Sequence, residues 1–117
     1  MKAGTYYIGD LCYVLGDDDA TWAEVCGCIE PEGEHRLSNG TEFAIYSTHY
    51  GDGVYDDNSA HAYTVDSGTL GCVRVEDLPA DADTESGRVV TFAEDFKTRK
   101  TPKTSTIVFG GVRIRTA

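Results

Sequence analysis

The residues that could do chemistry are carboxylates in glycine-rich turns. The segment Gly51-Asp52-Gly53-Val54-Tyr55-Asp56-Asp57-Asn58 concentrates them. Hard cations such as calcium take several oxygen ligands from loops of this kind. The spacing does not fit the twelve-residue calcium loop, however, and no terminal glutamate closes it. A solvated turn, in which glycine takes a positive φ and aspartate bonds nearby amides, explains the same residues. Asp10 and Asp66 each follow an apolar run in a glycine-flanked turn. They would make an acid/base pair if the fold joined them, and they would otherwise fix their own turns through backbone N–H groups.

The remaining reactive groups form no clear pattern. His49 and His61 flank the aspartate loop and His35 stands apart, without the short spacing of a metal motif. Cys12, Cys26, Cys28 and Cys72 offer one close pair, Cys26-x-Cys28, where structural zinc sites use two. They read as small apolar thiols, with Cys26 on the apolar face of a helix. No nucleophile–histidine–acid order and no phosphate-cradling glycine loop is present. The expectation is a non-enzyme with no cofactor and no metal.

Two broader features suggest binding. The seven tyrosines are many for 117 residues. Tyr50, Tyr55 and Tyr63, with Asp52 and Asp66, could stack and orient a nucleobase, while Arg74 or the basic C-terminal segment held a phosphate. Charge is the other feature. The chain carries a net charge of −10, and its ten basic and twenty acidic residues are unevenly placed. All twenty acids lie between Asp10 and Asp95, so residues 1–96, with four basic side chains, total −16. Lys97, Arg99, Lys100, Lys103, Arg113 and Arg115 give the remainder +6. An acidic chain repels nucleic acid and anionic membrane and attracts a basic protein surface.

The elements that must position these groups are short. Thr5–Ile8, Leu11–Leu15, Glu42–Ser47, Ala62–Val65, Thr69–Val75, Arg88–Phe96 and Ile107–Arg115 read as about seven strands from their aromatic and β-branched content. The last is expected to be bent at Gly110-Gly111. Trp22, Val25, Cys26 and Ile29 fall at i, i+3, i+4 and i+7, which predicts one helix, capped by Asp17-Asp18-Asp19 and closed by Pro31 and Gly33. Asn39-Gly40 is a hairpin turn, and Glu76–Leu78 is expected to make one helical turn. The sum is one α+β, mostly β domain over residues 1–117, with an antiparallel sheet either open or rolled into a partial barrel.

Two blocks resemble a known group. Tyr7-Ile8-Gly9-Asp10-Leu11-Cys12-Tyr13-Val14 is one. Tyr50-Gly51-Asp52-Gly53-Val54-Tyr55-Asp56, followed by Tyr63-Thr64-Val65-Asp66-Ser67-Gly68-Thr69-Leu70-Gly71, is the other. Together they are similar to a group of small phage, prophage and bacterial proteins over about two-thirds of the chain, up to Leu78. The group usually has proline where Leu11 stands, and glycine near Ser59-Ala60. The resemblance implies a phage or mobile-element setting and no particular chemistry.

The resulting expectation is a phage-type accessory protein that binds and inhibits a host protein bearing a basic surface, as a nucleic-acid mimic. Asp17, Asp18, Asp19, Glu24, Asp56 and Asp57 are the expected contacts, with Asp81, Asp83 and Glu85 extending them. The alternative is a protein that sequesters a small molecule or nucleotide signal through the tyrosines. A hydrolase using Asp10, Asp52 or Asp66 ranks behind both. Met1–Asp10 has no leader pattern and no apolar run approaches a membrane span. That predicts a monomer or small homo-oligomer in the cytoplasm, the host's cytoplasm if phage-encoded.

Overall fold

The computed structural model describes all 117 residues. Its centre is a five-stranded antiparallel sheet ordered β2-β3-β6-β1-β7, made of Gly33–Arg36, Glu42–Ser47, Thr69–Arg74, Gly4–Gly9 and Arg88–Phe92. The three inner strands, β3, β6 and β1, are buried along most of their length. That explains their nearly unbroken apolar runs, because a strand covered on both faces has no need to alternate.

Side-chain alternation divides the core into two halves. Tyr6, Ile8, Ala44, Tyr46, Leu70 and Cys72 face one way. They pack on Ile107, Phe109, Val112 and Ile114 of a second sheet, ordered β10-β9-β8 and made of Val112–Arg115, Thr106–Phe109 and Thr98–Lys100. The hairpin β4 (Gly53–Asp56) and β5 (Ala62–Val65) joins this side through Tyr63 and Val65. Tyr7, Phe43, Ile45 and Val73 face the other way. They are covered by helix α1 (Cys12–Leu15), helix α2 (Asp19–Cys26), a 3₁₀ turn at Val75–Asp77 and the loop that follows it. The architecture is thus three layers and contains no closed barrel.

Several expectations are corrected. Leu11–Leu15 is a helical turn rather than a strand. Leu11, Val14 and Leu15 are buried at i, i+3 and i+4, while Cys12 and Tyr13 are half-buried. A five-residue apolar run cannot distinguish the two patterns. Ile107–Arg115 is a hairpin rather than one bent strand, because Phe109 pairs with Val112 across a two-residue Gly110-Gly111 turn. The polar segments 33–36, 53–56 and 98–100 are additional strands, each at a sheet edge or in the two-stranded hairpin, where few side chains need be apolar. The strands on either side of Asp66-Ser67-Gly68 form as expected, β5 joining β4 and β6 joining β3 and β1. Helix α2 is capped by Asp18, whose carboxylate accepts the Thr21 N–H at 3.2 Å. It ends at Cys26, which is exposed, so Cys28 and Ile29 beyond the helix reach the core instead.

Ala60 closes the β4–β5 turn at φ +62°, left-handed backbone that an alanine adopts only at a cost. Ala60→Gly is expected to raise stability by about 1 kcal/mol, read as a shift in the urea midpoint at unchanged slope. A decrease would mean that glycine's extra freedom in the unfolded chain outweighs the relief of strain.

Candidate functional site

The acidic residues concentrate in two stretches, several members of which pack on the helical side of the sheet. These stretches, residues 10–31 and 75–87, hold eleven Asp and Glu and no Lys or Arg. Asp10 is buried and Glu24 half-buried. The other nine are exposed: Asp17, Asp18, Asp19 and Glu30 in the first stretch, and Glu76, Asp77, Asp81, Asp83 and Glu85 in the second. Only Glu76 among them forms an ion pair, with Arg74 at 3.2 Å. Asp17, Asp18 and Asp77 come from both stretches and meet at one cavity of about 260 Å³, whose apolar lining includes Leu15, Leu37 and Leu78. The opposite outer layer is mixed, with Asp56 exposed in its β4–β5 hairpin. From Phe96 to the C-terminus there are six basic residues and no acid.

The expected contacts divide accordingly. Asp17, Asp18 and Asp19 are exposed in the acidic layer. Glu24 shares that layer, but its carboxylate accepts bonds from the Ser38 backbone N–H and hydroxyl, the latter at 3.0 Å. Asp56 is exposed on the far side, in the β4–β5 hairpin. Asp57 corrects the expectation of a surface contact, since its side chain is fully buried. It accepts bonds from the Tyr63 hydroxyl at 2.6 Å, Arg88 at 2.9 Å, and the backbone N–H groups of Ser59 at 2.7 Å and His61 at 3.0 Å. Burial alone would raise its carboxyl, and these four bonds hold it below the ordinary 3.8. Glu30, Glu76 and Asp77 were missed by the sequence reading, yet the absence of any Lys or Arg from 75–87 was already legible.

The tyrosine–aspartate set lines no common cavity, although Tyr55 and Tyr63 are cross-strand partners. Tyr63 is buried in the core, and burial followed by the Asp57 hydrogen bond pushes its phenol up. Tyr55 is half-buried and donates to the Gly51 carbonyl at 2.8 Å. Tyr50 is exposed, edge-on to His49. Asp52 is exposed, and Asp66 accepts a bond from the Tyr13 hydroxyl, which raises that phenol. No surface cavity is lined by a tyrosine.

Asp10 and Asp66 do come together, in a turn-fixing arrangement. The Asp10 carboxylate is buried and accepts four bonds: Cys12 N–H at 2.9 Å, and Asp66 N–H, Ser67 N–H and the Ser67 hydroxyl at 2.7 Å each. A carboxylate so occupied has no lone pair aimed at solvent for proton transfer. Burial and the Asp10 hydrogen bond push the neighbouring Cys12 thiol up to about 12, which keeps it protonated and a poor nucleophile. Burial likewise pushes Cys72 up to about 12. All four cysteines are free thiols, and no three His, Cys, Asp or Glu side chains are grouped to hold a metal ion. No helix is long and apolar enough to cross a membrane.

No protein-family model, curated protein or solved structure matches the chain.

Proposed function

We propose that the chain is an accessory protein of phage type that binds and inhibits a basic, nucleic-acid-acting host protein, with its acidic layer standing in for a phosphate backbone. The observation that carries this reading is the pair of stretches 10–31 and 75–87, with nine exposed carboxylates and no Lys or Arg of their own, bordered by Lys2 and Arg74 only beside Glu76 and Asp77. Surface acids in an ordinary domain are interspersed with Lys and Arg, because mixed signs lower self-repulsion. Here eight of the nine have no ion-pair partner. The apolar cavity between Asp17, Asp18 and Asp77 adds a place for an anchoring side chain from the partner.

The phage setting rests on the sequence resemblance. The tyrosine-centred nucleotide binder draws no support from a tyrosine-lined cavity, and the hydrolase none from Asp10, whose oxygens are fully engaged.

The expected result of a competition experiment follows. With a lysine-rich bacterial nucleoid protein as the probe, the chain should displace duplex DNA at low salt. Displacement should weaken by about tenfold or more between 50 and 200 mM salt, since the interaction is between exposed charges. The variant Asp17→Lys, Asp19→Lys, Asp77→Lys should slow association by about tenfold or more. Asp18 is left in place because it caps α2. Unchanged displacement by the triple variant, with the same far-ultraviolet spectrum, would rule the acidic layer out as the contact.

A further inference from the structure

The face opposite the acidic layer holds a second site, made by the β8–β10 sheet. Arg99, Val108 and Arg113 lie side by side in register across its three strands. Adjacent strands are about 4.8 Å apart, so the two arginine backbones stand roughly 10 Å apart with Val108 between them. Arg115 follows Arg113 on the same face, about 7 Å along the strand. All three side chains are exposed, none is in an ion pair with a side chain, Arg115 donates through Nε to the Ala117 carbonyl oxygen at 3.0 Å, and all three border one cavity of about 370 Å³. That volume falls in the range of small-ligand sites.

The rest of the lining is selective as well. Thr101, Thr104 and Thr106 border the cavity. They share two hydrogen bonds among themselves, Thr101 to Thr104 at 2.9 Å and Thr104 to Thr106 at 2.7 Å. Three hydroxyl protons serve two such bonds, so one proton is left for a further partner. Guanidinium groups with a spare hydroxyl donor match a phosphate, whose oxygens only accept. Asp56 stands at the rim and is exposed. Its carboxylate disfavours a bare phosphate ion and would accept a bond from a hydroxyl or amine on the same ligand. The other wall acid, Asp57, is already engaged by Arg88 and Tyr63.

We propose that this cavity binds a phosphate monoester carrying hydroxyl groups, of the size of a nucleoside or sugar monophosphate, with Arg99, Arg113 and Arg115 on the phosphate and Asp56 on a sugar hydroxyl. The proposal does not depend on the acidic layer, which lies on the other side of the central sheet and uses different residues.

Calorimetric titration at 50 mM salt tests it with four probes: adenosine 5′-monophosphate, ribose 5-phosphate, inorganic phosphate and adenosine. The two esters should bind, inorganic phosphate at least tenfold more weakly, and adenosine not at all. Tighter binding of the nucleotide than of ribose 5-phosphate identifies a nucleotide as the ligand, and equal binding identifies a sugar phosphate. Arg99→Ala and Arg113→Ala should each weaken ester binding by tenfold or more without moving the melting temperature. Asp56→Asn should bring inorganic phosphate level with the esters. Lys103→Ala, outside the cavity, should change nothing. Ester binding that survives both arginine changes, adenosine binding equal to its monophosphate, or no ester binding at millimolar concentration each overturns the proposal. So does a single-stranded oligonucleotide that binds where the monophosphates do not, because the sheet would then be a strand-tracking surface.

Discussion

Asp10→Ala should lower the stability of the protein by about 4 kcal/mol, because each buried donor left without a partner costs roughly 1–3 kcal/mol and water reaching the space recovers part of the sum. Three backbone N–H groups and one hydroxyl depend on this carboxylate. They belong to the start of α1 and to the turn between β5 and β6, segments more than fifty residues apart in sequence. The side chain therefore ties the helical layer to the far hairpin across the end of the central sheet. A loss of about 4 kcal/mol corresponds to roughly a 20 °C fall in melting temperature for a domain near 100 residues. Asp10→Asn should fare little better, since its amide places donors against donors. Amide hydrogen exchange at Asp66 and Ser67 should accelerate in both variants well before the β3 and β6 amides do. A destabilisation below about 1 kcal/mol, the size of a single ordinary hydrogen bond, would show that the turns hold without it.

That tie also shows where the sequence was readable. Asp10 and Asp66 each sit in a turn, and local chemistry predicts that such carboxylates bond nearby amides. The partner of Asp10 is another turn, however, and nothing in a linear pattern places two turns side by side. The inner strands β1, β3 and β6 were legible because burial on both faces writes a continuous apolar run. The polar edge strand β2 and the exposed strand β4 carry no such record, and pairing alone makes them strands. Leu11–Leu15 was ambiguous in kind, as five apolar residues fit a buried strand or a buried helical turn equally. Charge behaved differently. Parts of the acidic stretches, 11–29 and 75–82, cover one half of the core, while the chain after Phe96 covers the other. The interior of Asp57 was hidden for the opposite reason. In a run of aspartates and glycines, nothing distinguished the one carboxylate that folds inward from its exposed neighbour Asp56.

Asp57 makes the stability depend on pH. Its carboxyl is held below 3.8 in the folded protein, while in the unfolded chain it returns to that ordinary value. A lowered folded value means that the folded state holds the charged form more tightly. The stabilisation is therefore complete above about pH 4 and is lost as pH falls through the folded value. Asp57→Asn removes the charge and leaves Arg88 facing a neutral amide. At pH 7 the cost should be about 3 kcal/mol, the low end for breaking a buried pair, because the Arg88 side chain is one-third exposed. Tyr63 should report the same event, since its hydroxyl donates to Asp57 and is shielded from solvent. Urea unfolding of the two proteins side by side at pH 7, 5, 4, 3 and 2.5 measures the gap. It should stay constant from pH 7 to about 4 and close below that, as the wild-type carboxyl takes up its proton and comes to resemble the amide. A gap that stays the same down to pH 2.5 would mean that the Asp57 charge contributes nothing, and that the variant is destabilised by the misfit of the amide alone.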